Sequence, residues 1–134
     1  MPQANYVAVL VAGLASFVLG SVWYSPVMFL KPWMAEIKMP ADQAKPPMAP
    51  LLAIAFVTAM VASYAMAVLL VPLQHHSLEI GLRRGFAAGV CWVATAFGSS
   101  YAFEGKSLRH WAINAGYFVI QFTVMGAILG VMNG

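Results

Sequence analysis

Residues 50–71 read PLLAIAFVTAMVASYAMAVLLV, a run of apolar and small polar residues without one charged side chain. About 20 predominantly apolar residues in a helix cross the roughly 30 Å hydrocarbon core of a bilayer. Because backbone groups in hydrocarbon must pair within their own segment, a helix is the conformation that such a run can adopt there. This run therefore predicts a transmembrane helix and decides the class of the protein.

The composition of the whole chain agrees with this class. Apolar residues form 62% of the 134 residues and charged residues only 8%, whereas soluble domains contain about 25% charged residues. Residues 1–30, 46–78, 85–103 and 110–134 contain no Lys, Arg, Asp or Glu. The alternating pattern of membrane β-strands does not occur. The composition thus excludes a soluble domain, and seven scattered basic residues exclude a nucleic-acid footprint.

These uncharged segments predict an all-α fold, a four-helix transmembrane bundle that forms a single domain over residues 1–134. Its connections are short except for one longer, proline-rich connection over residues 26–49. Residues 1–30 lack the basic start of a cleavable signal peptide, which favours a retained first helix. The predicted helices span residues 5–25, 50–71, 78–103 and 108–132.

Several residues predict where the helices begin and end. Ser77 and Ser107 precede helical runs and are suited to accept hydrogen bonds from free N–H groups at helix starts. Gly105 can end a helix in the left-handed conformation. Glu79 and Arg83 are four residues apart and can pair on one helix face. The connection of four residues around Gly105 makes helices three and four antiparallel neighbours.

The proline-rich connection leaves two alternatives open. Trp33, Met34 and Ile37 share one face if this part is helical, with Pro32 at the first helical position. A short helix lying in the membrane interface and an ordinary loop anchored by two apolar residues both fit this pattern.

The distribution of basic residues predicts the orientation of the chain. Connections one and three share a side of the membrane and carry five basic residues, against two on the opposite side. The positive-inside rule then places both termini outside the cytoplasm. The two groups are Lys31, Lys38, Lys45, Lys106 and Arg109, and Arg83 and Arg84.

Small residues recur at every fourth position in all four helices, where they allow close approach between helix backbones. These stripes predict packing seams inside the bundle. Alternatively, at least one seam, that of helix three being the first candidate, joins two copies. The glycines concerned are Gly20, Gly81, Gly85, Gly89, Gly98, Gly116, Gly126 and Gly130.

Helix four carries a polar face formed by Asn114, Tyr117 and Gln121. Such side chains need partners in hydrocarbon, and hydrogen bonds between helices, a ligand or ion, and an oligomer contact are the alternatives. The candidate partners elsewhere are Ser16, Thr58, Ser63, Tyr64 and Thr95.

No pattern of residues predicts catalysis, a metal or a cofactor. No predicted helix contains an ionisable group near its middle, as proton relays usually do. His75 and His76 are adjacent and cannot form the usual metal pair four residues apart. Cys91 lies in an apolar run and is expected to be a small core residue. We therefore expect no catalytic, metal or cofactor site, and no enzyme activity.

One further surface is predicted at the membrane interface, where aromatic and basic residues could contact a lipid headgroup or a partner protein. Plain anchoring in the interface is the other interpretation. The residues are Trp23, Tyr24, Pro26, Trp33, Glu104, Lys106 and Arg109.

Three segments resemble a known family: residues 5–26 with the element Trp23-Tyr24-Ser25-Pro26, residues 103–108 (FEGKSL), and residues 113–117 (INAGY) followed by 125–130 (MGAILG). The chain resembles the small bacterial membrane proteins grouped as domain of unknown function 1761. The resemblance implies a four-helix membrane protein and no particular reaction.

Three functional hypotheses follow. The first is a membrane protein that acts by association, as a homo-oligomer or as an accessory subunit. The second is an oligomeric channel or transporter for small solutes or ions, with the polar face of helix four lining a wet cavity. The third is a membrane enzyme acting on a lipid or quinone, which requires Glu104, Arg109 or His110 to meet the segment from Trp23 to Trp33.

Overall fold

The computed structural model describes residues 5–37, 48–70 and 77–132, and all regular elements in this part of the chain are helical. Lys38, Lys45, His75 and His76, which entered the sequence predictions, lie outside the described residues. The elements are α1 (Tyr6–Trp23), α2 (Leu30–Ile37), α3 (Met48–Leu69), α4 (Leu78–Ala88), a π-helical segment (Gly89–Ala94), α5 (Thr95–Glu104) and α6 (Leu108–Met132).

Four of the helices are long and apolar enough to cross a membrane. They are α1, α3, the continuous stretch Leu78–Glu104 formed by α4, the π segment and α5, and α6. We call Leu78–Glu104 the third span. The predicted four-helix transmembrane fold class is confirmed. The short helix α2 is also present, so the helical alternative for the proline-rich connection is confirmed.

The predicted caps are present. The side chain of Ser77 accepts a hydrogen bond from the N–H of Ile80, and Ser107 caps α6 in the same way. Gly105 ends the third span with φ +71°, in the left-handed region that glycine tolerates. Glu79 and Arg83 form an ion pair of 2.7 Å on α4.

α6 is the centre of the architecture. It packs against α1 and more extensively against α4, and it also touches α3, whereas α3 packs chiefly on α1. Two hydrogen bonds from side chains to backbone carbonyls support this order. The Asn5 amide donates to the carbonyl of Met132, which joins the start of α1 to the end of α6. Arg84 donates to the carbonyl of Leu70 at the end of α3.

The closest helix contact lies between α4 and α6. A Cβ added at Gly81 would collide with the carbonyl group of Gly126, and one added at Gly126 would collide with that of Gly81. One added at Gly89 would lie 2.7 Å from the Cα of Val119. An added Cβ would also collide with a backbone oxygen at two further glycines: with that of Phe122 at Gly85, and with that of Ser77 at Gly130. These glycines therefore face partners in the same chain, as packing seams inside the bundle require.

The π segment interrupts the third span at its middle. The wider turn changes which positions face α6: Gly81 and Gly85 are buried before it, and Tyr101 is buried after it. Gly89 and Ala94, the first and last residues of the π segment, are buried as well. The hydroxyl of Thr95 donates to the carbonyl oxygens of Cys91 and Trp92, at 2.7 and 3.2 Å. π segments inside α-helices are frequent at functional positions.

Candidate functional site at the membrane interface

A chain of hydrogen bonds joins three helices near the end of the bundle that carries α2. The Tyr24 hydroxyl donates to Oδ1 of Asn114 at 2.7 Å, and Nδ2 of Asn114 donates to the Tyr101 hydroxyl at 2.7 Å. Both polar ends of the amide are therefore bonded, as a buried amide requires. Burial, with the phenol groups of Tyr117 and Tyr101 nearby, raises the pKa of Tyr24. Like an unperturbed tyrosine, whose pKa is about 10, Tyr24 is neutral at physiological pH and donates through its hydroxyl.

Tyr117 and Gln121, the other members of the predicted polar face, point at the helices of the same chain. The Tyr117 hydroxyl donates to the carbonyl of Ser16 on α1, and a Cβ at Gly20 would lie 2.8 Å from this hydroxyl. Gly20 thus makes room for Tyr117. Gln121 is 4% exposed. This packing favours the first alternative for the polar face, bonding between helices, over a wet passage inside one copy.

The partners predicted for this face were largely wrong. Ser16 contributes only its carbonyl oxygen. The hydroxyl of Ser63 donates to Val9, while Thr58 and Thr95 bond within their own helices. Tyr64 stacks on Tyr6.

α2 is held against the start of α6 by polar contacts. Glu36 accepts a hydrogen bond from the Ser107 hydroxyl and pairs with Nε of Arg109 at 2.7 Å. Nη2 of Arg109 also donates to the carbonyl of Pro32. The Ser107 hydrogen bond, followed by Arg109, lowers the pKa of the Glu36 carboxyl. This group of contacts shows that connections one and three lie on the same side of the bundle.

The other predicted interfacial residues divide into two groups. Trp23 donates from its indole N–H to the carbonyl of Ile113, and Trp33 makes an edge contact with Tyr24, so both pack inward. Pro26, Glu104 and Lys106 are exposed. The last two form an ion pair of 3.0 Å, and Nζ of Lys106 lies 4.4 Å from the centre of the Tyr101 ring.

The structure therefore joins only part of the constellation that a membrane enzyme would need. Arg109 meets the segment between Trp23 and Trp33 through Pro32, whereas Glu104 pairs with Lys106. His110 is buried with its ring against Tyr101. Within the described residues, no group of three His, Cys, Asp or Glu side chains could hold a metal ion.

Sequence reasoning missed Tyr101 and Glu36. Tyr101 lies four residues before the Gly105 turn, so its position beside the start of α6 could have been inferred from the antiparallel pairing of the two helices. Glu36 gave no usable signal, because its partners Ser107 and Arg109 are more than 70 residues away.

Gly98 and Gly116 have looser surroundings than the glycines of the α4–α6 contact. A Cβ at Gly98 would lie 3.3 Å from the Trp111 indole nitrogen, and one at Gly116 would lie 3.4 Å from the Trp23 ring. The Trp111 N–H itself donates to the carbonyl of Ala94, at the end of the π segment.

Comparison with known proteins gives one match. A family model described as "Protein of unknown function (DUF1761)" matches residues 7–130, nearly the whole chain, which confirms the resemblance found in the sequence. No curated protein and no solved structure matches.

Proposed function

The chain belongs to the DUF1761 family, and we propose that it acts by association within the membrane, as a homo-oligomer joined through the outward face of the third span. The observation that carries this proposal is the one-sided packing of that span. It packs chiefly on α6, and its opposite face is exposed along most of its length.

The outward face has the composition of a helix–helix contact in lipid. Cys91, Thr95, Ala96 and Ser99 are small and exposed, and Trp92 is 63% exposed beside them. Small side chains let helices approach closely, and hydroxyl groups in hydrocarbon form bonds between helices. A groove of about 420 Å³ between Trp92, Ala96 and neighbouring residues offers space for side chains of a second copy.

This proposal replaces the glycine seam of the sequence prediction by the opposite face of the same span. The glycines hold α4 against α6 inside the chain, and the outward face remains for association. We also propose a non-enzymatic role, a bacterial inner membrane as the location, and termini outside the cytoplasm.

The single cysteine allows a direct test. Cys91, which the sequence predicted to be a core residue, is instead exposed on the outward face. A disulfide requires Cα atoms within about 7 Å of each other. Oxidation of membranes with copper phenanthroline should give a disulfide-linked dimer of the wild-type protein, or of Cys91→Ser variants that carry Thr95→Cys or Ser99→Cys.

The matched control is Cys91→Ser with Ile54→Cys, because Ile54 is 60% exposed on α3. This variant should stay monomeric under the same oxidation. Equal crosslinking from Ile54→Cys would indicate random collision, and no crosslinking from any of the three third-span positions would contradict the interface. A crosslink of Cys91 to a different protein would instead indicate an accessory subunit.

A further inference from the structure

A second feature, independent of the outward face of the third span, is a cavity of about 440 Å³ between the start of α6 and the segment that leads into α2. Its volume lies within the range of small-molecule sites, about 300–1,000 Å³. Trp23, Phe29 and Pro32 form one wall, and Arg109, Ala112 and Gly116 lie on the α6 wall.

The cavity extends from the membrane interface into the hydrocarbon region. Arg109 is the second residue of α6 and donates to the carbonyl of Pro32, the residue before Trp33. Tryptophan and tyrosine are enriched at headgroup level. Gly116 follows seven residues later, about 10 Å further along the helix at a rise of 1.5 Å per residue. The cavity thus has one charged end at the headgroups and an apolar end within the bilayer, which is the shape of an amphiphile.

The charged end is suited to an anion. A guanidinium group has five N–H donors, of which Nε faces Glu36 and one Nη2 donor faces the carbonyl of Pro32. These two contacts hold the Arg109 group in place and leave donors free, and its side chain is 58% exposed. Lys31 lies next to Pro32 at the start of α2 and is exposed. Among the described residues of this side, Glu36 and Glu104 already pair with Arg109 and Lys106, so the positive charge of Lys31 is not balanced by an acidic residue.

The apolar end is open because small residues line it. A Cβ at Gly116 would make only an ordinary contact of 3.4 Å with the Trp23 ring. Gly116 therefore differs from the glycines of the α4–α6 contact, where an added Cβ would collide with backbone. Ala112, one turn earlier, is exposed to the cavity side. Small side chains at both positions leave the cavity of about 440 Å³ open along this part of α6.

We propose that this cavity binds one anionic phospholipid of the surrounding membrane. The phosphate contacts the Arg109 guanidinium, with Lys31 contributing to the attraction, and an acyl chain lies along Ala112 and Gly116. Guanidinium groups bind phosphate oxygens through directed, charge-assisted hydrogen bonds. The bonds from Arg109 to α2 make the lipid site depend on the docking of that helix.

Native mass spectrometry of the purified protein in mild detergent tests this proposal. The protein is titrated with phosphatidylglycerol or with phosphatidylcholine carrying the same acyl chains. Both lipids carry the phosphate, but the choline group of phosphatidylcholine adds a positive charge that Arg109 and Lys31 repel. The wild type should therefore bind one phosphatidylglycerol about tenfold more tightly than phosphatidylcholine. Arg109→Gln and Ala112→Phe should each weaken phosphatidylglycerol binding by about tenfold or more.

Two control variants separate this site from general effects. Lys106→Gln removes a basic residue on the same side that is paired with Glu104, and Ala96→Phe adds the same bulk to the groove of the third span. Both should bind phosphatidylglycerol like the wild type. Gly116→Leu fills the cavity from a second position. If Ala112→Phe does not fold, the affinity of Gly116→Leu for phosphatidylglycerol is measured in its place, and it should be weakened in the same way.

Four results would overturn the proposal. The first is wild-type affinity in a folded cavity-filling variant, and the second is equal affinity for the two lipids. The third is displacement of the lipid by inorganic phosphate, which would indicate a site for the free ion. The fourth is an Ala112→Phe variant that no longer forms a dimer but still binds the lipid. This result would assign the cavity to contact with a second copy of the chain.

Discussion

A methyl group at Gly126 should force α6 away from α4. Its Cβ would collide with the carbonyl oxygen of Gly81 and lie 3.2 Å from the Cα of Gly85, whereas carbon atoms pack best at about 3.5–4.0 Å. The helices must therefore separate by roughly 1 Å to restore ordinary carbon contacts and clear the carbonyl. Overpacking lowers the free energy of unfolding by about 1–3 kcal/mol. Because the added methyl group would meet backbone atoms, which cannot move aside like a side chain, we expect Gly126→Ala to lie near the upper end of this range.

Alanine also favours the helix over glycine by about 1 kcal/mol, so the net loss in free energy of unfolding should be about 2 kcal/mol. Reversible unfolding in mixed micelles of mild detergent and SDS, followed by circular dichroism, measures it. Gly116→Ala is the matched control: its Cβ has ordinary clearance, so helix propensity should leave this variant as stable as the wild type or more so. Equal stability of the two variants, within about 0.5 kcal/mol, would refute the assignment of the α4–α6 contact as close-packed.

Three further predictions concern polar groups. Asn114→Leu should lower the free energy of unfolding by about 1–3 kcal/mol, because two tyrosine hydroxyls lose their partner, while solute flux into liposomes stays unchanged; altered flux would support conduction instead. Docking of α2 should weaken in acid, because Ser107 and Arg109 lower the pKa of the Glu36 carboxyl in the folded state. The ionised carboxyl therefore stabilises the docked helix fully above the ordinary pKa of 4.5, and this stabilisation is lost as the pH falls through the lower folded-state pKa. Hydrogen exchange of α2 should therefore rise at acid pH in the wild type and not in Glu36→Gln; identical profiles would exclude this carboxyl as the cause. Thr95→Val should cost about 1 kcal/mol by removing the hydroxyl that serves the π segment, and an unchanged unfolding midpoint would contradict that role.

Local signals in the sequence predicted the spans and their ends well. Ser77, Gly105 and Ser107 act on backbone groups within three or four residues, so the sequence alone contains both partners of each cap. The π segment also left a local signal, since the small residues of helix three recur every four positions until the step of five from Gly89 to Ala94.

Pairing between distant parts of the chain could not be predicted in the same way. Glycine spacing identifies a face that permits close approach, but stripes on all four helices are equivalent until their orientations are known. Asn114 needed a partner, yet Tyr24 lies 90 residues away, and nothing local distinguishes it from the hydroxyl groups of other helices. The bond to Tyr101 depends in addition on the π segment, which sets the direction in which α5 faces.

The central position of α6 has a consequence for the biogenesis of the protein. α1 and α3 emerge first during translation and can pair with each other, whereas the third span leaves the ribosome before its main partner exists. At about 5–20 residues per second, the 25 residues of α6 follow within a few seconds. During that delay the glycine-lined side of α4 has bare backbone in contact with lipid or with the insertion machinery. A nascent chain arrested after Glu104 would leave this glycine face of α4 without α6. Another helix in the membrane could then pack against it.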